Sequence, residues 1–243
     1  MTFKNKKILI TGAGGGIGKV LVRKFKDQGA IIAATDLDIS GIDADFNFDG
    51  DLLDKDFCDS LPGRAQEKLG GLDVLINNAG IIKRGKITES TDEDLELSVK
   101  VNIEAPFRLC RSSIPIFAEA GGGAIVNVSS CWGVHPGPSH PIYIMTKAAI
   151  ASLTQCLGRD HAPENIRVNA VCPNEVNTPM IKSGFTIRGF NPEKGIEELN
   201  KTVPIGRIAE PDDIAEVILF LASDSARYIC GSLVEVNGGK PVS

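Results

Sequence analysis

The chain has 243 residues, 42% of them hydrophobic and 23% charged, with a formal net charge of −5. That length suits one large domain or two small ones with a substantial buried core. The negative balance argues against a nucleic-acid footprint or a basic membrane-binding patch, and no run approaches the roughly 18 apolar residues of a membrane span.

Basic residues precede the first apolar stretch, as in an export signal, but that stretch is only ILI and glycines follow at once. A first strand over 6–11 is the better reading, in a cytoplasmic protein. The six cysteines (58, 110, 131, 156, 172 and 230) form no CxxC pair and no cluster with histidine at metal-ligand spacing. Reduced, mostly buried thiols and no metal are expected.

In chain order, strand-like runs fall at 6–11, 30–36, 43–49, 72–77, 123–130, 166–173 and 232–238. Amphipathic stretches lie between them at 16–28, 54–69, 92–118, 143–162 and 211–223. Near-continuous apolar strands separated by helices predict a parallel sheet covered on both faces, an α/β doubly wound fold of Rossmann type. The segment LDISGIDAD (37–45) leaves room for one helical turn at most. With no linker, low-complexity tract or repeat, a single domain over 1–243 is expected.

ILITGAGGGIGKVLVRKF (8–25) reads as strand, glycine-rich turn and helix. Gly12, Gly16 and Gly18, with Ile17 between the last two, let backbone N–H groups approach a pyrophosphate at the helix N-terminus. Asp36 ends the second strand, where a carboxylate either closes the strand or accepts bonds from a ribose diol. It would repel a 2′-phosphate, and TDLDIS holds no arginine to receive one. NAD is therefore favoured over NADP.

HPIYIMTK (140–147) holds one of only two tyrosines, with a lysine four residues on. On a helix Tyr143 and Lys147 share a face, either as a half-buried aromatic over a solvated lysine or as a phenol tuned by an ammonium. Pro141 fits the first position of that helix.

With TGAGGGIG (11–18), NNAG (77–80), Asn102 in KVNIEAPF, Ser130 in IVNVSS and YIMTK (143–147) standing in order, the chain resembles the short-chain dehydrogenase/reductase family almost from end to end. The resemblance implies a seven-stranded parallel sheet, and oxidoreduction of an alcohol/carbonyl pair with a nicotinamide cofactor. It implies that Asp51 and Leu52 border the adenine. Asn78, Ala79 and Gly80 would floor the cofactor cleft, and Pro173, Val176 and Thr178 would run past the nicotinamide.

A free tyrosine, with a pKa of ~10, is a poor base near neutral pH. A nearby ammonium favours its phenolate, and Lys147 is placed to supply one while also bonding the nicotinamide ribose. Ser130 can hold the substrate oxygen as charge develops; Ser129, its competitor, faces the other way by strand alternation. Asn102 is either a mid-helix amide bonded to backbone or, by the resemblance, the holder of a water that relays the proton. His135 and His140 line or rim the pocket, and Trp132 and Val134 supply an apolar wall.

The family usually has glycine where this chain has Asn174. Asparagine tolerates left-handed backbone, and its amide, followed by Glu175, either serves the turn alone or helps select a polar substrate. The stretch 180–203 corresponds to a mobile substrate lid, with glycines at 184, 189 and 195 as hinges. There Arg188 either clamps an anion or is simply solvated.

The leading expectation is an NAD-dependent oxidoreductase interconverting a small polar secondary alcohol (polyol, sugar acid or hydroxy acid) and its ketone. A 3-ketoacyl-thioester reductase and a non-catalytic NAD-binding redox sensor are the alternatives. By family analogy it is a homotetramer contacting through its C-terminal segment and the helices at 92–118 and 143–162, with neither nucleic acid nor membrane as partner.

Overall fold

A computed structural model describes residues 2–240. Its strands are β1 (Lys7–Thr11), β2 (Ile31–Asp36), β3 (Phe46–Asp49), β4 (Val74–Asn77), β5 (Gly123–Val128), β6 (Ile166–Pro173) and β7 (Leu233–Val236). All pair in parallel in one sheet, in the order β3-β2-β1-β4-β5-β6-β7. The helices are α1 (Gly16–Asp27), α2 (Lys55–Leu69), α3 (Asp92–Val99), α4 (Ala105–Glu119), α5 (Cys131–Val134), α6 (Pro141–Asp160), α7 (Pro179–Ile187), α8 (Pro192–Lys201) and α9 (Pro211–Ala222).

Strand alternation divides the core between the two faces. Ile8 and Ile10 pack with Leu21 and Phe25 of α1 and with Ile214 and Ile218 of α9. Leu9, between them, joins Leu61 of α2 and Leu109 and Phe117 of α4 on the opposite face. Both faces are therefore apolar, which is why these strands read as unbroken hydrophobic runs. Each fully buried side chain of this size contributes roughly 1.5–3 kcal/mol relative to exposure.

The segment 37–45 contains no helix, within the one turn at most expected there. The expected doubly wound fold is present, with two local differences. The single helix expected over 92–118 is broken into α3 and α4 by a π turn at Lys100–Glu104. The lid region folds largely as α7 and α8, the latter started by Asn191, whose side chain accepts from Lys194 N.

The chain runs outward from β1 to β3 and then returns to continue at β4, so the order reverses between β1 and β4. That topological switch point is where open α/β sheets hold ligands, outside the carboxyl ends of the strands. Thr11 and Asn77 stand at this edge. Among the described residues no helix is long and apolar enough to cross a membrane. The six cysteines are free thiols, four buried and two (Cys156, Cys230) exposed.

Candidate active site

The glycine turn after β1 is built for close approach. Gly12 has φ 65°, and a Cβ there would lie 2.7 Å from Ala79 Cα. A Cβ on Gly18 would fall 2.0 Å from the Gly12 carbonyl oxygen, so only glycine lets α1 start this close to β1. Asn78 locks the turn by donating to the carbonyls of Thr11 and Gly12 at 3.1 and 2.9 Å. Thr11 Oγ1 in turn accepts from Asn78 N and Ala79 N.

The first turn of α1 has neither a side-chain cap nor an acidic residue. Its N–H donors and positive dipole end are thus left for an anion. Asp36 Oδ2 accepts from Gly14 N at 2.8 Å and Oδ1 from Leu37 N at 2.7 Å, which sets its carboxylate beside the glycine turn. Asp51, exposed, and Leu52, packed against the second core face, follow β3 next door. Ile17 packs on the first face. A pyrophosphate, a ribose diol and an adenine find suitable partners along this line, so the residues fit a dinucleotide.

Beyond the turn, Gly80 keeps the floor low: a Cβ there would meet Lys147 Nζ at 3.2 Å and Asn102 Oδ1 at 3.3 Å. Asn102, 2% exposed, accepts from Ile81 N at 2.9 Å and donates to Ile81 O at 2.9 Å and Thr146 Oγ1 at 3.0 Å. The π turn carries this amide between the segment after NNAG and α6; such turns often mark functional sites.

Ser129 and Ser130 separate as alternation requires. Ser129 Oγ donates to the Lys147 carbonyl at 2.8 Å and ties β5 to α6. Ser130 accepts from Trp132 N at 3.2 Å, capping α5. Burial pushes the Tyr143 phenol up; the nearby Ser130 hydroxyl and the positive charge of Arg84 pull it down. Lys147 Nζ donates to the Val128 carbonyl at 2.8 Å and lies over the Tyr143 ring, 5.8 Å from its centroid.

Burial alone brings Lys147 down from 10.5 to about 8. In the unfolded chain the ordinary lysine still holds its proton where the buried one has shed it. The burial cost is therefore fully present below about pH 8 and disappears as pH rises toward 10.5. The difference in Tm between Lys147→Met and wild type, variant minus wild type, should fall steadily across that window. Circular-dichroism melts of the ligand-free proteins check it; a difference that does not change with pH would contradict a burial-driven shift.

With this geometry in place, comparison with known proteins decides the family. The family model described as enoyl-(acyl carrier protein) reductase, a short-chain dehydrogenase/reductase group, matches residues 12–240. The chain belongs to the short-chain dehydrogenase/reductase family. It is 36% identical to an oxidoreductase of Thermotoga maritima over 98% of both chains. It is 32% identical to the 3-oxoacyl-[acyl-carrier-protein] reductase of the same organism, over 98% of this chain and 99% of that one. The ligand-free structure of the aldohexose dehydrogenase of Thermoplasma acidophilum superposes with a TM-score of 0.91 at 29% identity, covering 98% of this chain and 96% of the other.

In this short-chain dehydrogenase Trp132 packs against His140 with ring centroids 4.6 Å apart and planes tilted by 50°. His140 Nδ1 donates to the Pro138 carbonyl at 2.9 Å, and burial holds its pKa down. Thr178 stands over the glycine turn, its Cγ2 2.8 Å from where a Gly16 Cβ would be. Pro173 ends β6 with its carbonyl 3.4 Å from Ser130 Oγ.

Val176 is 8% exposed and packs in the first core face. Two expectations change. Asn174 is not in the left-handed region, since Asn5, Ser139 and Asn165 are the non-glycine residues with positive φ. With Val203, Ile208 and Val236 it lines a cavity of about 150 Å³ at the end of the sheet. Glu175 cannot reach for substrate freely, because Lys240 Nζ holds it at 2.5 Å. Among the described residues no group of three or more His, Cys, Asp or Glu side chains is set to hold a metal ion.

Sequence reasoning missed Arg84 and Thr146. Thr146 carries a signal, since it lies between Tyr143 and Lys147 on α6; Arg84 carries none within its own segment.

Proposed function

We propose that this oxidoreductase interconverts a small polar secondary alcohol and its ketone, using NAD and the acid–base chemistry of Tyr143. The observation that carries the reading is Lys147 Nζ lying over the Tyr143 ring at 5.8 Å and beside the low floor at Gly80, with the Ser130 hydroxyl lowering the phenol's pKa. A nicotinamide cofactor, when bound, supplies the acceptor for hydride. Ser130 holds the substrate oxygen, and Tyr143 takes the hydroxyl proton as the carbonyl forms. Positioned proton transfer of this kind is worth about 10²–10⁴ in rate. Asn102 acts as a positioning residue, fixing Ile81 and Thr146 on either side of Lys147. Asp36 supports NAD over NADP, and α7 with α8 forms the lid. The assembly is proposed as a cytoplasmic homotetramer, supported by Phe107 on α4 and Met145 on α6, 47% and 49% exposed.

The test is reduced-nicotinamide absorbance with NAD⁺ or NADP⁺ against a panel of polyols, sugar acids and hydroxy acids. Turnover with NAD⁺ is expected; NAD⁺ binding without turnover of any alcohol would leave the redox-sensor reading. A 3-ketoacyl-thioester reductase is the second reading, prompted by the acyl-carrier-protein reductase relative. Reduction of acetoacetyl-CoA with no oxidation of polar alcohols would favour it.

A further inference from the structure

Two guanidinium groups converge on one residue of α7. Arg84, half-buried in the segment after NNAG, donates from Nη2 to the Met180 carbonyl at 2.9 Å. It lies so close over Gly184 that a Cβ there would be 2.7 Å from the same nitrogen. Arg188 donates from Nε to the Gly184 carbonyl at 2.8 Å and covers the Phe185 ring at 5.1 Å. Gly85 N donates to the Ser139 carbonyl at 2.9 Å, which ties the Arg84 segment to the residues leading into α6 and Tyr143.

Among the described residues neither arginine makes an ion pair with a carboxylate. The charges acting on Arg84 are Arg188, a like charge, and the Tyr143 phenol. Both arginines also act on His140. Holding two cations together without an anion is unfavourable in a partly desolvated place. Anchoring the lid needs one N–H of Arg84, and a guanidinium has five. His140 adds no charge of its own. Its Nδ1 must donate, because a carbonyl only accepts, so the neutral ring offers Nε2 as an acceptor beside Trp132.

We infer that Arg84, with Arg188 from the lid, forms a carboxylate subsite next to Tyr143, so that the alcohol oxidised is a hydroxy acid and not an uncharged polyol. The inference rests on the alcohol-dehydrogenase reading and narrows its substrate class. A planar fork suits bidentate carboxylate binding, and lid placement couples that binding to closure over the site. His140 Nε2 accepts from a second hydroxyl of such a substrate.

Matched pairs differing only in the anion test it: gluconate against sorbitol, 3-hydroxybutyrate against 1,3-butanediol, and tartrate against threitol. The readout is the acid-to-neutral ratio of kcat/KM, which a change in phenol acidity or lid anchoring common to both members does not move. Arg84→Met should lower this ratio by about 10- to 100-fold, the range for losing a hydrogen bond to a charged group. Arg84→Lys should restore part of it. Arg188→Met, at an exposed position that folding tolerates, should lower it less. A wild-type ratio near one, or a ratio unchanged in both methionine variants, overturns the subsite while leaving the alcohol-dehydrogenase reading standing. If no member of any pair is oxidised, that reading has failed, and binding decides the subsite separately. Trp132, the chain's single tryptophan, reports it by fluorescence in the Tyr143→Phe protein with NAD⁺ bound. Gluconate binding that exceeds sorbitol binding and weakens on adding Arg84→Met supports the subsite; equal binding of the two overturns it.

Discussion

Tyr143→Phe is expected to lower kcat by about 10²–10⁴-fold while leaving NAD⁺ affinity within about threefold. The substitution removes one oxygen and keeps the ring, so the packing of half-buried Tyr143 on α6 survives. The lost oxygen is the one whose acidity the Ser130 hydroxyl favours. Because burial raises the phenol's pKa, wild-type kcat/KM for alcohol oxidation should climb with pH on the alkaline side, as the phenol gives up its proton. The variant should lack that limb. Ser130→Ala should also weaken turnover, since it removes both the hydroxyl that favours the phenolate and the donor for the substrate oxygen. Stopped-flow formation of reduced nicotinamide across pH 6–10 measures both features.

Asp36→Ala is expected to lower kcat/KM for NAD⁺ by about 10- to 100-fold, as when hydrogen bonds to a charged group are lost, and to narrow the preference over NADP⁺. The carboxylate already accepts from Gly14 N and Leu37 N, so it is held in place at the end of β2. Each oxygen keeps a further lone pair for a ribose hydroxyl. A 2′-phosphate brought to the same place meets a fixed negative charge, and residues 37–40 (Leu, Asp, Ile, Ser) offer no cation. Removing the carboxylate removes the attraction for one cofactor and the repulsion of the other. An unchanged NAD⁺/NADP⁺ ratio would show that discrimination lies elsewhere.

The parts of the molecule legible in its sequence are those specified locally. ILI in β1 and VLI in β4 are buried on both faces, so their hydrophobic runs announce a parallel sheet. The glycine turn is legible because its spacing answers to steric demands within a few residues, such as Gly18 against Gly12. Pro141 at the first position of α6 is likewise a local signal. What was hidden depends on partners distant in the chain. KVNIE has a helix-forming pattern; its widening into a π turn goes with the Asn102 amide bonding Ile81 and Thr146. The Lys147 ammonium points to the Val128 carbonyl, which its helical spacing from Tyr143 could not reveal. Arg84 sits in IIKRG with nothing to mark it, because the residue it covers, Gly184, lies a hundred positions later. Proline at the starts of α7 and α8, with Asn191 before the latter, did carry helix-start signals, obscured by the glycines and charges between them.

The central claim is that hydride leaves a carbinol carbon at this site while Tyr143 takes the hydroxyl proton. Incubating the enzyme and NAD⁺ with a hydroxy acid or polyol deuterated at the carbinol carbon, and following the products by proton NMR, tests it most directly. Ketone and reduced nicotinamide should form in equal amounts with the deuterium recovered in the nicotinamide ring, and Tyr143→Phe should slow the formation of both by about 10²–10⁴-fold at matched cofactor occupancy. Reduced nicotinamide without the label, or undiminished transfer in the variant, would contradict the account.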